Sequence, residues 1–497
     1  MKFIQSFSLG AACLSVSAVA TPPSEPEFVT SERLQNDITE EGLMGNLKRL
    51  EDIAYANGGN RAFGFPGYDA SVDFIVERLE KLSETTTFFL QDVPGLFTQV
   101  ASISFAAGGE SIPVIGLTYS PSTSAEGLTL PLAHGPTGDV GCTVEGYAGL
   151  NVTGKIVLVE RGTCPTGGTL AGRLLPAATA GAAAVIIYNN VNASVTGGTL
   201  SAPNPEQFVP GGFINRSDGL ALVQRLSANE TIIASFQQTQ LIENKITRNV
   251  IAETKGGDPN NVIMIGAHLD SVQAGPGIND DGSGTSLILE LFTALNSYQT
   301  KNKVRAGWWA AEENGLVGSR YYTAQLDATN VTNLLAYLNF DMVSKGFFGV
   351  FDGDGSSHGL AGPAGSDVIE KLFVDDLTSK GLNVTPAIFS GGSDYVSFME
   401  NLKKPIGGLF TGTGVDQDPC YHRACDNFEN PNATVITINA KTAAHVLANL
   451  AIDGATLLPK AAESSNIGRI GEMPIQWTSG EGLEGQDSHT GTCGHDV

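Results

Sequence analysis

The chain has 497 residues, of which 41% are hydrophobic and 16% charged. This is the composition of a folded globular protein, and it excludes a mainly disordered chain. The 28 Lys and Arg residues against 52 Asp and Glu residues give a formal net charge of −24, which repels phosphate backbones and anionic lipid surfaces. We therefore expect neither nucleic acid nor a membrane as a partner.

The N-terminus has the features of a secretory signal peptide over residues 1–20. Lys2 precedes an apolar run that ends in Ala18-Val19-Ala20, a small-x-small cleavage pattern. This run is shorter than the roughly 20 residues that a membrane span needs, and we expect no span further along the chain. The prediction is a secreted protein, with a vacuolar lumen as the alternative location. Residues 21–40 are polar and contain proline, which is typical of a leader or propeptide.

Sequons and cysteines support a secretory route. A glycosylated surface is predicted by seven Asn-x-Ser/Thr sequons, which begin at Asn151, Asn192, Asn215, Asn229, Asn330, Asn383 and Asn432. Of the six cysteines, Cys13 lies in the signal peptide. In an oxidising compartment the natural local pairs are Cys142 with Cys164 and Cys420 with Cys425. Cys493 is left over, and the sequence leaves open whether it stays free or pairs between molecules.

The main domain is predicted to begin at residue 41 and to be interrupted by a smaller module. Helical patterns occupy the start of its N-terminal part, 41–124, near Leu43 and again near Ile75. Residues 125–240 form the predicted module, in which a strand, a helix and a second strand make a parallel unit at 155–160, 171–180 and 183–188. No catalytic cluster occurs in this module.

Residues 241–457 have an α/β pattern of short apolar strands alternating with helices. Strands are predicted at 262–265, 304–310, 334–339 and 407–410, and helices at 286–295, 315–324 and 440–451. The predicted fold is a mixed, largely parallel central sheet flanked by helices. After 457 the chain is a polar tail, 458–497, that we expect to lie on the surface.

Polar residues follow these strands where each strand ends. In open α/β sheets the ligand crevice lies beyond the carboxyl ends of the strands, so residues far apart in sequence meet there. Two imidazoles and several carboxylates suit zinc or a similar divalent ion. Three carboxylates and one hydroxide would balance the charge of two such ions, which makes their burial feasible. The predicted metal ligands are His268, Asp280, Glu313, Asp341 and His422.

Three further residues are predicted to serve catalysis. Glu312 adjoins a ligand and could take a proton from the attacking water and pass it to the leaving amine. Tyr421 is a candidate hydroxyl donor to the developing oxyanion. Asp270, two residues beyond His268, could fix the tautomer of that imidazole.

Other motifs have simpler interpretations. The glycines around Ser283 are not followed by Gly-Lys-Ser/Thr, which argues against phosphate binding. The segment from Asp352 to Asp354 is similar to the start of a calcium loop, but its twelfth position is Pro363 rather than Glu, so we expect a turn. The remaining histidines lack such neighbours and are interpreted as structural.

Taken together, these motifs resemble the M28 zinc peptidases over about residues 40–457. The stretch around Asn60-Arg61 belongs to the resemblance, and residues 125–240 are similar to the protease-associated (PA) domain inserted in many members. The fungal secreted leucine aminopeptidases and vacuolar aminopeptidase Y are the most similar branches. Two features depart from the family pattern: Gly391-Gly392 precedes Ser393-Asp394-Tyr395 where an arginine is often found, and the stretch between Thr411 and Cys420 is shorter.

The resemblance implies a two-zinc centre with Asp280 as the bridge. His268 and Asp341 would complete one zinc site, and Glu313 and His422 the other. Glu312 would be the general base. Acidic side chains beside the metals would hold the free α-amino group of the substrate, and a Cys420–Cys425 disulfide would clamp the loop that carries Tyr421 and His422.

The functional prediction is a monomeric, secreted metallo-aminopeptidase that acts on peptides with a free N-terminus and prefers large apolar residues such as leucine. One alternative is a carboxypeptidase or dipeptidase of the same superfamily, but only 46 residues (497 − 451) follow the last predicted helix, too few for the helical dimerisation domain of that branch. A second alternative is a non-catalytic PA-domain receptor. The presence of every expected ligand argues against it.

Overall fold

The computed structural model describes residues 26–459, except 193 and 196. The predicted signal peptide with Cys13 and the predicted tail from residue 460 onward with Cys493 lie outside the described residues. The helices are α1 (Ser31–Asp37), α2 (Glu40–Ala56), α3 (Pro66–Glu80), α4 (Ala171–Thr179), α5 (Arg216–Ser227), α6 (Gly282–Leu295), α7 (Val317–Gln325), α8 (Ala328–Asn333), α9 (Ser366–Ser379) and α10 (Ala433–Leu457).

The strands are β1 (Thr86–Ala107), β2 (Glu110–Ile112), β3 (Ile115–Gly116), β4 (Leu128–His134), β5 (Ile156–Glu160), β6 (Ala184–Tyr188), β7 (Gly211–Ile214), β8 (Ile233–Thr254), β9 (Asp258–His268), β10 (Asn302–Trp309), β11 (Leu334–Phe340), β12 (Phe348–Phe351), β13 (Val384–Ala387) and β14 (Ile406–Leu409). Their order is β13-β12-β14-β11-β9-β10-β8-β4-β5-β6-β7-β3, and β1 pairs with β8 and β2. The path therefore continues from the main domain into the smaller module.

The central sheet of the main domain confirms the predicted fold class. Strands β9, β10, β11 and β14 pair in parallel, whereas β8 joins β10 and β12 joins β14 in antiparallel fashion. The carboxyl ends of β9, β10 and β11 consequently lie side by side. Each of the predicted short apolar strands in this domain is present, with its bounds shifted by one to a few residues.

Helices cover both faces of this sheet. On one face α2, α6, α9 and α10 pack over the strands, with α6 buried along nearly its whole length. On the other face aromatic residues of the strands pack against α7 and a π-helical turn at Ser397–Asn401. Helix starts are capped as expected: Asp281 accepts from the Gly284 amide at the start of α6, and Asn432 accepts from the Thr434 and Val435 amides at the start of α10.

The described part of the predicted leader belongs to this domain rather than to a separate polar arm. Residues 31–37 form α1, which packs against α10. Leu34 is fully buried and Ile38 nearly so. Apolar side chains at these positions pack α1 against the domain. The polar composition of residues 21–40 as a whole gave no indication of this packing.

Helix α10 is long and apolar enough to cross a bilayer by length and composition, unlike our expectation from the sequence. Within its most apolar 18-residue window, 61% of the helix is buried inside the protein. It contacts α1, α2, α6 and α9, so its apolar surface is that of a core helix.

The smaller module contains the predicted strand–helix–strand unit, with β5 and β6 in parallel and α4 between them. Its own core lies on both sides of this sheet. Two long strands, β1 and β8, were not predicted; each is 22 residues long, and they pair along almost their whole length and connect the module to the main domain. The Cys142–Cys164 disulfide lies in the module, as predicted.

Candidate active site

Five predicted metal ligands converge at the carboxyl edge of the central sheet, although 154 positions (422 − 268) separate the two histidines. His268 is the last residue of β9, Asp341 follows β11, and Glu313 lies in a 3₁₀ turn that follows β10. Asp280 is in the loop before α6. His422 lies in the loop closed by the Cys420–Cys425 disulfide, whose predicted pairing is confirmed.

Asp280 lies between the two histidines. Its Oδ1 is 3.1 Å from Nε2 of His268, and its Oδ2 is 3.2 Å from Nε2 of His422. On the first side Asp341 Oδ1 is 3.7 Å from His268 Nε2, and on the second side Glu313 Oε2 is 3.0 Å from His422 Nε2. Two groups of three side chains therefore share one carboxylate, and within each group the candidate ligand atoms lie within 4.8 Å of one another.

Backbone amides of the neighbouring turns hold this arrangement. Asp281 accepts hydrogen bonds at Oδ2 from the His268 amide (3.2 Å) and at Oδ1 from the Met342 amide (3.1 Å), so one carboxylate fixes the ends of two strands. Asp426 accepts from the Asn279 amide (2.8 Å) and the Asp280 amide (3.0 Å), which ties the loop of the second histidine to the bridging aspartate.

Glu312 also reaches the site. Its side chain is buried, and Oε2 lies 4.0 Å from His268 Nε2. Burial raises the pKa of Glu312 well above the usual value for a carboxyl, and the positive charge of His268 opposes this only in part. A glutamate in such surroundings can hold a proton and release it.

Asp270 lies beside the His268 imidazole and also contacts the turn of the two glutamates. Its carboxylate oxygens accept hydrogen bonds from the backbone amides of Glu312 (3.1 Å) and Glu313 (3.3 Å). Its Oδ1 is 3.6 Å from Nδ1 of His268, outside hydrogen-bond distance. Asp270 thus orients the turn of the two glutamates, and its effect on the histidine is electrostatic.

Tyr421 lies at the mouth of the cleft. Its ring stacks on that of His422 with centroids 3.8 Å apart. The cleft is lined by Met342, Gly392 and Tyr421 together with the carboxylates and histidines. The aromatic ring of Tyr421 is therefore available to a substrate side chain, whereas Met342 is 1% exposed.

The side chains present fit two divalent cations. Oε1 of Glu313 is buried and has no hydrogen-bond partner among the described residues. In the metal-free protein, burial lowers the pKa of His268, yet the negative charges of Glu312 and Asp341 outweigh burial and raise it well above the usual value. Excess negative charge at this point is what bound cations would neutralise, and a mixed imidazole and carboxylate set suits zinc.

Three residues that support the site were not predicted in these roles: Arg61, Asp281 and Asp426. The guanidinium of Arg61 is fully buried and donates to the carbonyls of Leu269, Pro276 (2.8 Å) and Gly277 (2.6 Å), which spans the loop between His268 and Asp280. A sequence signal existed only for Asp281, which directly precedes the glycines of a helix start, the usual position of an N-cap.

Gly284 explains the glycines around Ser283. A Cβ at this position would lie 2.0 Å from the carbonyl oxygen of Phe340, so only glycine lets α6 approach β11 this closely. Gly284 serves helix–strand packing, which agrees with the interpretation that this segment does not bind phosphate.

A further carboxylate group lies away from the site, at Asp352, Asp354 and Glu370. The carboxylate of Asp352 accepts from the amides of Ser357 (3.1 Å) and His358 (2.7 Å) and so closes a turn. The predicted turn is present, and the carboxylate of Asp352 is used in hydrogen bonds from its backbone amides.

Comparison with known proteins identifies the two domains. Residues 249–447 match the model of peptidase family M28, and residues 128–222 match that of the PA domain. The chain is 40% identical to a protein named probable leucine aminopeptidase 2 from Aspergillus fumigatus over 82% of this chain and 83% of that protein. It is 37% identical to leucine aminopeptidase 2 of Trichophyton rubrum, over 91% and 92% of the two chains.

Solved structures share the fold over most of the chain. An aminopeptidase from Aneurinibacillus sp. strain AM-1 superposes with a TM-score of 0.69 at 25% identity, covering 85% of this chain and 96% of that one. A zinc aminopeptidase from Bacillus subtilis superposes with a TM-score of 0.66 at 22% identity, covering 84% and 95%. Both the main domain and the smaller module are included in these overlaps.

Proposed function

The chain belongs to peptidase family M28 and carries a PA domain, and from that premise we propose that it is a zinc-dependent aminopeptidase. It hydrolyses the N-terminal peptide bond of peptides at a centre that holds two zinc ions. The observation that carries this proposal is the position of Asp280, whose two oxygens face two separate histidines at 3.1 and 3.2 Å. Asp280 would be the ligand shared by the two ions of such a centre, as in two-metal hydrolases.

Each zinc has its own set of ligands besides the bridge. His268 and Asp341 would hold one ion, and Glu313 and His422 the other, in accord with the two groups of side chains. When bound, the two ions supply Lewis-acid polarisation of the scissile carbonyl and lower the pKa of the attacking water.

Glu312 carries the proton in this mechanism. The carboxylate oxygen nearest His268 takes a proton from the attacking water and later gives it to the nitrogen of the leaving amine. Two observations support this role. Burial raises the pKa of Glu312, and the hydrogen bond that the Glu312 backbone amide donates to Asp270 fixes the turn that carries Glu312. Tyr421 donates a hydrogen bond to the developing oxyanion from its place beside His422.

The requirement for a free N-terminus follows from charge. Three ligand carboxylates and one hydroxide would balance the charge of two zinc ions, so the carboxylate of Glu312 adds one uncompensated negative charge in the same buried site. The protonated α-amino group of a substrate can therefore be held beside the metals. An N-acetylated substrate has a neutral amide at this position and lacks that charge. The aromatic ring of Tyr421 lines the cleft, which supports a preference for leucine and other large apolar first residues.

We also propose the processing and location expected from the sequence: removal of residues 1–20, secretion of a glycosylated monomer, and an inserted PA domain at 125–240 within a peptidase of 41–457. The two disulfides and the relatives' fungal origin are compatible with this route.

A panel of aminoacyl p-nitroanilides tests the function directly. The purified mature protein should hydrolyse the leucine substrate fastest, lose activity on chelation, and recover it when zinc is restored. The matched control is N-acetyl-leucine p-nitroanilide, which should not be hydrolysed. Cleavage of an N-acetylated peptide at its carboxyl end, with no cleavage of the free-amine substrate, would instead establish the carboxypeptidase alternative.

A further inference from the structure

A continuous chain of buried hydrogen bonds leads from the interior of the main domain to Asp341. The Trp309 indole donates to the Tyr337 hydroxyl (2.9 Å), and the Tyr337 hydroxyl donates to Oδ1 of Asn339 (3.0 Å). The Asn339 amide donates to Ser393 (2.8 Å), and the Ser393 hydroxyl donates to Oδ2 of Asp341 (2.5 Å). All five residues are at most 4% exposed.

The direction of this chain is fixed by its first member. An indole N–H can only donate, so the tyrosine oxygen accepts and its own proton must go onward. The tyrosine proton occupies Oδ1 of Asn339, which leaves the NH₂ group of that amide to face Ser393. Because Ser393 accepts this bond, its proton is directed at Asp341. Every donor therefore points toward the carboxylate, which is the polarity that favours a charged acceptor.

The two oxygens of the Asp341 carboxylate have different neighbours. Oδ2 of Asp341 is taken by Ser393, whereas Oδ1 faces His268 Nε2 at 3.7 Å. The chain thus determines which oxygen is presented to the shared site. Its other end is held by aromatic packing, since Tyr337 stacks on Phe398 at a centroid distance of 3.7 Å.

We infer that Ser393, Asn339, Tyr337 and Trp309 act together as positioning residues that hold the Asp341 carboxylate aligned as a zinc ligand. This inference rests on the proposed two-zinc centre. It also gives a role to Ser393, the first residue of the Ser-Asp-Tyr segment, where the sequence alone indicated only a departure from the family pattern before it.

The test is zinc affinity, measured by competition with a chromophoric chelator. Removal of the last donor in Ser393→Ala should weaken binding at one site by about 10–100-fold, as is usual for partners of metal ligands. Ser393→Thr keeps the hydroxyl and should restore most of the affinity. The matched control is Ser397→Ala, which removes a buried hydroxyl of the same segment that pairs with Ser319 (2.8 Å) and not with Asp341.

A second pair of variants covers the case in which Ser393→Ala does not fold. Tyr337→Phe interrupts the chain and should weaken zinc binding, though less than Ser393→Ala. Tyr322→Phe is its control, because Tyr322 also packs on Trp309 but its hydroxyl accepts from Arg305 instead.

Outcomes for the positioning role and for the metal centre are distinguishable. If the wild-type protein binds two zinc ions, but Ser393→Ala or Tyr337→Phe binds zinc as tightly as its control variant, the positioning role alone is overturned. If the wild-type protein is purified in the presence of zinc and elemental analysis then finds no zinc in it, the proposed metal centre itself is overturned.

Discussion

Glu312 and Glu313 are consecutive residues to which we assign different roles. Oε2 of Glu313 lies 3.0 Å from His422, whereas Oε2 of Glu312 is 4.0 Å from His268 and its side chain belongs to neither group of candidate ligands. Glu312→Gln should keep the fold and both zinc ions but lose at least about two decades in kcat, the usual size of a general-base contribution.

Glu313→Gln provides the matched control for this prediction, since it should lower zinc content first and activity as a consequence. Metal analysis and single-substrate kinetics on both variants separate the two roles. If Glu312→Gln retained wild-type kcat, or if Glu313→Gln kept two tightly bound zinc ions, the assignment of the pair would be wrong.

Three of the eight non-glycine residues with positive φ in the described part of the chain lie at or beside the predicted ligands. Ala311, Met342 and His422 all have positive φ, at 53°, 51° and 55°. The left-handed region costs a non-glycine residue roughly 1–2 kcal/mol. Ala311 directly precedes the glutamate turn and is fully buried, so the strain there sets the direction in which Glu312 leaves β10.

Substitution at 311 measures this strain. Ala311→Gly should change the free energy of unfolding by less than about 1 kcal/mol, because relief of strain and the greater entropy of the unfolded chain oppose each other. Ala311→Val should destabilise by more than about 2 kcal/mol, since a β-branched residue tolerates this region worst. Urea unfolding of both variants provides the measurement; equal stability of the two would contradict the argument.

At the scale of elements, the Cys420–Cys425 disulfide fixes a loop rather than the whole fold. It spans only five positions and encloses His422, so its contribution to global stability is small compared with that of a long loop. The double variant Cys420→Ser/Cys425→Ser should therefore stay folded but bind zinc more weakly and lose activity in proportion.

The second disulfide is the control for the first. Cys142–Cys164 closes 22 positions within the PA domain, far from the ligands in sequence. Cys142→Ser/Cys164→Ser should lower stability by about 2–4 kcal/mol and leave zinc affinity unchanged. Loss of zinc affinity in this variant, or none in the other, would contradict the assigned roles.

Elements that are defined by local pattern could be predicted from the sequence, and those defined by distant pairing could not. The short apolar strands that precede each polar cluster were found because they are buried on both faces. Strands β1 and β8 were missed because each faces solvent along much of its length, as at Leu241 and Glu243, and their pairing crosses more than 100 residues. Metal ligands were recognisable by residue type, but the contacts of Asp270 and Ser393 depend on which turns meet after folding.

For the whole molecule, the site makes stability depend on pH once metal is removed. Burial raises the pKa of Asp394 to about 7 and that of Asp426 to about 7. Burial lowers the pKa of His422, but the charge of Glu313 and the hydrogen bonds that the imidazole donates to the carboxylates of Asp280 and Glu313 outweigh burial and raise the value to about 10. All three groups therefore bind more protons in the folded protein than in the unfolded chain.

The sign of the effect follows by linkage. For the two aspartates the unfolded chain ionises first, so a penalty accumulates as pH rises from about 4 to about 7. For His422 the favourable contribution is complete below about pH 6.5 and is lost as pH rises toward its folded pKa. The pKa of Asp280 is lowered, and its opposite contribution changes only at more acid pH. The unfolding free energy of the metal-free protein should therefore fall as pH rises from 5 to 8.5.

Bound zinc should remove this dependence, because its ligands are deprotonated already and its charge replaces that of the protons. The increase in Tm caused by zinc should consequently grow from pH 5 to pH 8.5, as measured by calorimetry on chelated and zinc-loaded samples. Asp394→Asn removes one of the responsible groups without touching a ligand, so its metal-free form should show a weaker pH dependence. A metal-free protein that became more stable as pH rose would contradict the charge balance on which the two-zinc centre depends.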